Sequence, residues 1–257
     1  MTVSSSIDQR VSLAVSTVVF ALRPHPASGL MTLWLPLVRR IREPYEGMWA
    51  LPGGPLEADE DLAASAQHTL ERTTGLAPNY LEQLYAFGNV DRSPDDRVVS
   101  IVYWALVRQA EVARAVDGEN VEWFVADELP PLAFDHAQIV DYALARLRAK
   151  ITYTPIAHAF LPPEFTLADL RAVHEAVLRT TLDPANFRRQ IESSNAIVPT
   201  GKRVTGTSYR PPKLYRYNNA VEAADRGPLS RMGAGAPSSA LPVSPSSPVS
   251  PSRKPQP

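Results

Sequence analysis

Two stretches of this chain gather chemistry-bearing side chains at helical spacing. The first, residues 53–76, reads GGPLEADEDLAASAQHTLERTTGL. A Gly-Gly turn and two glutamates (Glu57 and Glu60) lead into a helical stretch that opens like the catalytic helix of a phosphate-cleaving enzyme. Such chemistry needs carboxylates along the helix, because Mg²⁺ takes oxygen ligands in a near-octahedral shell and its charge activates water and neutralises the diphosphate. Those acids are missing. Glu57 and Glu60 stand at the helix start, and the later turns carry His68, Thr69, Arg72 and Thr73. His68 and His136 read as packing or surface residues, since no neighbouring His or acid completes a metal spacing.

The second stretch is DPANFRRQIESS at 183–194. Asp183 is a helix cap and Pro184 suits the first helical position. Phe187 and Ile191 are four apart and share one face, the core face. At 100° per residue, Arg189 falls on the opposite face, flanked by Ala185 and Asn186, with Arg188 to one side. Arginine can bond guanine O6/N7 in bidentate fashion and asparagine can bond adenine N6/N7, so this is what a helix reading a DNA major groove requires. The following AIVPTGKRVTGTSYRPPKLYRY alternates β-type residues with Gly and Pro and reads as a hairpin. Lys202 and Arg203 near its tip, and Arg210 and Lys213 further along, suit phosphate contacts, which position a protein without reading sequence.

The elements that must position these residues fall into three segments. Residues 10–149 mix strands and helices. VSLAVSTVVFAL, LMTLWLPLVRR, LYAFGNV and RVVSIVYWALV are strand candidates. DEDLAASAQHTLERTT and DHAQIVDYALARLRAK have helical periodicity, the second with a cap expected at Asp135. Residues 151–217 hold a short helix at TPIAHAF, a helix TLADLRAVHEAVL in which Thr166 and Asp169 approach a capping box, the helix at 183–194 and the hairpin. Residues 218–257 form a tail. Its last 31 residues, 227–257, include 8 Pro and 8 Ser and too few large apolar side chains to offset ordering entropy, so it is expected to be disordered.

Composition narrows the class further. The net charge of −1 conceals an asymmetry: residues 1–150 carry 13 basic and 20 acidic groups (13 − 20 = −7), whereas 151–217 carry 9 and 5 (9 − 5 = +4). A basic module joined to an acidic one points to a polyanionic partner for the second half. There is no cysteine, which excludes disulfides, thiolate nucleophiles and Cys-based zinc sites. The stretch MTVSSSIDQR does not read as a signal peptide, and the apolar runs are far short of the ~20 residues that span a bilayer. A cytoplasmic location and no membrane partner are expected.

The first stretch resembles a Nudix box, whose pattern is Gly, five residues, Glu, seven residues, Arg-Glu, aliphatic, any residue, Glu-Glu, any residue, Gly, aliphatic. Gly54, Glu60, Leu70, Gly75 and Leu76 are in register. The preceding WALPGG and the following FGNVDRSPDDRVVSIVYWALV and WFVADELPPLAFDHAQI resemble the ADP-ribose pyrophosphatase branch. The departures are chemical: the family's Arg-Glu is His68-Thr69 and its Glu-Glu is Arg72-Thr73. Thr73 offers one neutral oxygen, and Arg72 puts a permanent cation near where the family's metal would sit. Glu71 is about 100° around the helix from position 72. No catalytic residue and no metal ligand is therefore assigned. An arginine there can instead complement phosphate directly.

ITYTPIAHAFLPPEFTLADLRAVHEAVLRTTLDPANFRRQI and TGKRVTGTSYRPPKLYRY are similar to the Nudix-related transcriptional regulators of NAD metabolism, and the resemblance covers about 10–217. It implies an α+β chain: an N-terminal Nudix-like α/β/α sandwich with a mixed sheet over 10–149, and a C-terminal winged helix-turn-helix over 151–217. It further implies a repressor of NAD biosynthesis or salvage genes that binds a palindromic operator as a homodimer. ADP-ribose or a related nucleotide would be its effector, with no cofactor required. The effector is expected at Arg40, Gly53, Gly54, Glu57, Glu60 and Arg72, and DNA at Asn186, Arg188, Arg189, Lys202, Arg203, Arg210 and Lys213. Sister regulators of this architecture control sugar catabolism. Two other readings are an ADP-ribose or nucleoside-diphosphate hydrolase with rearranged metal ligands, and a protein-interaction module.

Overall fold

The computed structural model describes residues 10–76, 78, 80–112, 120–205 and 211–218. Arg210 and nearly all of the Pro/Ser-rich tail lie outside the described residues. The N-terminal part is built on strand β1 (Ser12–Pro24), which pairs in parallel with β6 (Val98–Val107) from Ser12↔Val98 to Ala21↔Val107. The far half of β1 pairs antiparallel with β2 (Met31–Arg39), and its near half with the short β4 (Gly53–Pro55). β3 (Trp49–Ala50) and β7 (Val121–Val125) both pair antiparallel with β2, and β5 (Tyr80–Phe87) lies along the outer side of β6.

The central strands are apolar on both faces because helices cover both. Val19 and Ala21 of β1, with Ala105 and Val107 of β6, pack under Leu70 of helix α1 (Leu62–Thr74). Val18, Phe20 and Leu22 point the other way, with Leu33, Leu35 and Trp104, against Ile139, Val140, Ala143 and Leu147 of the long helix Asp135 precedes. A four-residue helix, α2 (Gln109–Val112), follows β6, and the long helix is α3 (His136–Lys150). The expected α/β/α sandwich with a mixed sheet is found. Three short or late elements, β3, β4 and β7, do not stand out in the sequence.

One expected cap is corrected. Asp135 precedes α3, but its side chain makes no capping bond. Both carboxylate oxygens are taken by Arg92, at 3.0 and 2.8 Å, in a buried pair. A bidentate guanidinium is a stronger partner than a single backbone amide.

The C-terminal part begins without a flexible linker. The end of α3 turns through Thr152, Tyr153 and Thr154, whose amides bond back to Ala149 and Lys150 carbonyls. The expected helix at TPIAHAF is a 3₁₀ turn, Pro155–Phe160. Then come α4 (Leu167–Leu178) and α5 (Pro184–Ser193), followed by the hairpin β8 (Ile197–Arg203) and β9 (Lys213–Tyr217). Thr166 and Asp169 form the full capping box of α4, each side chain bonding the other's backbone N–H. Phe165 and Tyr215 exchange backbone bonds of 3.0 and 2.8 Å, which add a short third strand to the hairpin. This is a winged helix-turn-helix. Its core (Phe160, Phe165, Val173, Val177, Phe187, Tyr215 and Tyr217) is continuous with the α3 face of the sheet through Ile151 and Ile156.

Candidate functional site

The first site is assembled around β4. A side chain at Gly53 would bring its Cβ to 2.8 Å from both Ser16 Oγ and the Val15 carbonyl, so only glycine lets the turn lie this close to β1. Ser16 Oγ is itself fixed by Ser100 Oγ at 3.1 Å. The Leu56 amide bonds the Leu13 carbonyl, and the chain then leaves the sheet through Glu57 and Glu60. Both glutamates precede the helix rather than lying in it. Asp61 is the cap, its Oδ1 accepting from the Ala64 amide at 2.8 Å. The helix stops at Gly75, whose φ of 68° is the left-handed geometry that suits glycine.

The helix sorts its residues by face. Ser65, Ala66, Thr69, Leu70 and Thr74 are buried against the sheet. His68, Glu71 and Arg72 are exposed. His68 Nδ1 lies 3.0 Å from Glu60 Oε1. The Glu60 carboxyl is held below its usual range first by this hydrogen bond, and the charge of Arg72 adds to the effect. The structure therefore brings Glu60, His68 and Arg72 together and leaves Glu57 exposed nearby in sequence. His68 is a surface residue, and it meets Glu60, eight residues away, because the chain turns at Asp61. Among the described residues no group of three or more His, Asp or Glu could hold a metal. Along the outer side of α1 stand the Glu60 carboxylate, already paired with His68, the exposed carboxylates of Glu57 and Glu71, and Arg72, which has no ion-pair partner among the described residues.

Arg40 lies on the loop between β2 and β3. Its Nε donates to the Pro44 carbonyl at 2.7 Å and an Nη to the Arg42 carbonyl at 3.3 Å, while the guanidinium stacks on Phe134 at 4.7 Å. Phe134 also meets Tyr45 edge-on at 4.9 Å. Next to it, His136 Nδ1 accepts from the Leu51 amide at 3.0 Å. Burial pushes the His136 pKa down to about 4, so it is neutral and a packing residue. Arg40, Phe134 and His136 together hold the segment that leads into Gly53 and Gly54.

The second site lies on α5. Asp183 caps the helix by accepting from the Asn186 amide at 2.7 Å, and Pro184 follows. Phe187 is buried and Ile191 half-buried, which fixes the rotation of the helix. Asn186, Arg188 and Arg189 are all exposed. Arg189 Nη2 donates to Asn186 Oδ1 at 3.0 Å, so these two form one outward group. Arg188 leans the other way. Its Nε meets Glu192 Oε1 at 3.1 Å, and Tyr215 of the hairpin donates to the same oxygen at 3.2 Å. Arg188 is thereby tied to the wing. In the wing, Lys202 Nζ pairs with Glu164 Oε1 at 2.8 Å, Arg203 donates to the Pro211 carbonyl at 2.8 Å, and Lys213 is exposed opposite Arg203.

Sequence reading missed Glu175. Its carboxylate accepts from the Leu182 amide at 2.9 Å, and its backbone carbonyl accepts from Thr180. Arg171 donates to the Leu182 carbonyl at 3.3 Å. These bonds set the turn between α4 and α5, and with it the angle of the second helix. No local pattern marks them, because the partners are 7 and 11 residues apart.

A mixed sheet between α1 and α3, with a glycine-tight box before α1 and a winged helix after α3, defines a Nudix domain joined to a DNA-binding-type module. Comparison with known proteins agrees on both parts. Residues 16–143 match the NUDIX domain family, and 157–217 match the NrtR DNA-binding winged helix domain. The chain is 35% identical over 187 residues to the ADPR responsive transcriptional repressor NtrR of Acinetobacter baylyi, covering 70% of this chain and 74% of that protein. It superposes with a TM-score of 0.68 on Shewanella oneidensis NrtR crystallised with a 27mer DNA, at 32% identity over 82% of this chain and 95% of that one. Over 107 residues it is 36% identical to an ADP-ribose pyrophosphatase of Methanocaldococcus jannaschii, covering 41% of this chain and 63% of the enzyme. The chain belongs to the NrtR family.

Proposed function

We propose that this protein is an ADP-ribose-responsive transcriptional repressor. Its winged helix binds operator DNA and its Nudix domain binds ADP-ribose or a related nucleotide without hydrolysing it. The observation that carries the reading is the outward Asn186–Arg189 pair on a capped, core-anchored α5, in a chain 35% identical to a repressor described as ADPR responsive. Arg189 and Asn186 supply the base-reading groups, and Lys202, Arg203, Arg210 and Lys213 the phosphate contacts. Binding as a homodimer to a palindromic site supplies the affinity that one helix lacks. The controlled genes are those of NAD biosynthesis or salvage. A DNA-shift assay on duplexes from the upstream regions of such genes, with and without ADP-ribose, tests this. Retarded DNA that ADP-ribose releases supports it; no retardation at any upstream region overturns it.

On the effector side, the loss of acids at 69, 72 and 73 supports binding in place of cleavage. In this reading Arg72, which is exposed and has no ion-pair partner among the described residues, meets the diphosphate that in a hydrolase would be met by a metal. No cofactor is required in this reading. The hydrolase reading is favoured by one observation, the likeness to an ADP-ribose pyrophosphatase over 107 residues. Release of AMP from ADP-ribose in Mg²⁺ or Mn²⁺ decides between the two.

A further inference from the structure

We propose that Asp127, Arg148 and Arg179 form a latch that fixes the winged helix against the Nudix domain and transmits the effector signal between them. The proposal rests on the ADP-ribose-responsive reading above. Arg148 lies in the last turn of α3. One of its Nη atoms donates to both oxygens of Asp127 at 2.8 Å, and its Nε donates to the Val177 carbonyl at 3.1 Å. Val177 is in the last turn of α4, so a side chain of the Nudix domain caps a helix of the winged helix. Arg179 ends α4 in left-handed geometry, φ 54°, and its Nη1 lies 3.5 Å from the same Asp127 carboxylate. One carboxylate therefore holds a guanidinium from each domain. Asp127 is 15% exposed and Arg148 30%, which places the contact at the edge of solvent, where it can form and break.

The surroundings decide what the latch controls. Beside it lies a crease of about 670 Å³ between the two domains, bounded by His25 and Met31 on one side and Glu175 and Ala176 on the other. Beside the crease α4 packs on β2, with Ala176 in the shared apolar core and Met31 against it, and the same core runs on through Ile151 and Ile156. The apolar contact seats the winged helix, and the polar latch sets its angle at the rim of the crease. The far end of α3 reaches the effector side: Asp135 is gripped by Arg92, and His136 accepts from the Leu51 amide, two residues before Gly53. A displacement of either grip moves α3, and α3 passes into the winged helix without a slack linker.

The test uses the full chain and the tightest duplex recovered by selection from random DNA. Three quantities are measured: affinity for ADP-ribose alone, affinity for the duplex alone, and affinity for the duplex in saturating ADP-ribose. The ratio of the last two in the wild type is expected within the range of roughly 5–150-fold usual for coupled sites. Asp127→Asn should reduce that ratio to about 3-fold or less while ADP-ribose affinity stays within about 2-fold. Arg179→Gly should do the same and fits the left-handed backbone, so it guards against a folding defect in the first variant. Glu128 lines the same crease and, among the described residues, its carboxylate pairs with His25 inside one domain, so Glu128→Gln is the control. It should keep the wild-type ratio. A wild type that shows no response removes the effector reading, and the latch with it. A responsive wild type whose Asp127→Asn and Arg179→Gly variants respond as fully, or lose ADP-ribose affinity, overturns the latch and leaves the effector reading standing.

Discussion

Arg189 donates to Asn186 Oδ1 at 3.0 Å across one turn of α5, on the side opposite the buried ring of Phe187. The pair holds a guanidinium outward in a set orientation before any ligand arrives. Pre-ordering of this kind lowers the side-chain entropy lost on binding.

Arg189→Ala is expected to cost about 1–3 kcal/mol per half-site and to relax preference at one base position. Neither Arg189 nor Asn186 is in the core, so melting temperature should not move. Operator affinity measured on duplexes altered one base at a time checks this. Full retention of base preference would pass the reading role to Arg188 or Asn186.

Lys202→Ala should instead weaken specific and random DNA alike, lowering the salt slope by about one per subunit. Because Lys202 is paired with Glu164 at 2.8 Å, phosphate must displace that carboxylate. Glu164→Gln is therefore expected to strengthen DNA binding modestly at low salt. Affinity titrated against salt for the two variants gives the answer.

ADP-ribose should not be turned over at the ordinary enzymatic rate of about 1–10³ s⁻¹. Adding Mg²⁺ or Mn²⁺ should not change this, because Arg72 and Thr73 stand where carboxylates are needed. A chain carrying Arg72→Glu and Thr73→Glu should gain cation affinity, read by calorimetry with Mn²⁺. AMP release by the unaltered chain in that range would refute the binding-only reading.

His136 gives a pH signature. Its folded pKa is near 4, below the usual 6.5, because burial penalises the charged ring. The unfolded chain therefore binds a proton that the folded chain refuses between those values. Stability is full above pH 6.5 and falls as pH drops toward 4, by roughly 3 kcal/mol at most. His136→Asn, which can still accept from the Leu51 amide, should flatten the dependence of urea midpoint on pH across that window.

Gly53→Ala should destabilise the chain by about 1–3 kcal/mol, since its Cβ would meet the Val15 backbone carbonyl, which cannot swing aside. Chemical denaturation measures it. An unchanged midpoint would mean that β4 yields.

The parts legible in the sequence are those set by local patterns. β1, β2 and β6 announce themselves by long β-rich runs, and the caps at Thr166 and Asp183 by residue type and spacing. The outward face of α5 follows from helical arithmetic on Phe187 and Ile191. What stays hidden depends on partners distant in the chain. Arg92 claims the Asp135 carboxylate from 43 residues away, and Glu164 meets Lys202 from 38. β3 and β4 are two and three residues long and exist only because β2 and β1 offer edges to pair with. The brace at Glu175 is likewise a matter of tertiary geometry, as is the Asp127 junction.

The seam through Ile151 and Ile156 joins the winged helix to the α3 side of the sheet, whereas the box helix α1 lies on the other side. The two surfaces thus lie on opposite sides of a layer of strands. Residues at 68, 72 and 73 can be exchanged without touching the packing that anchors the winged helix. The converse does not hold: a winged helix cut away from α3 would leave the apolar side chains around Ile151 and Ile156 without cover.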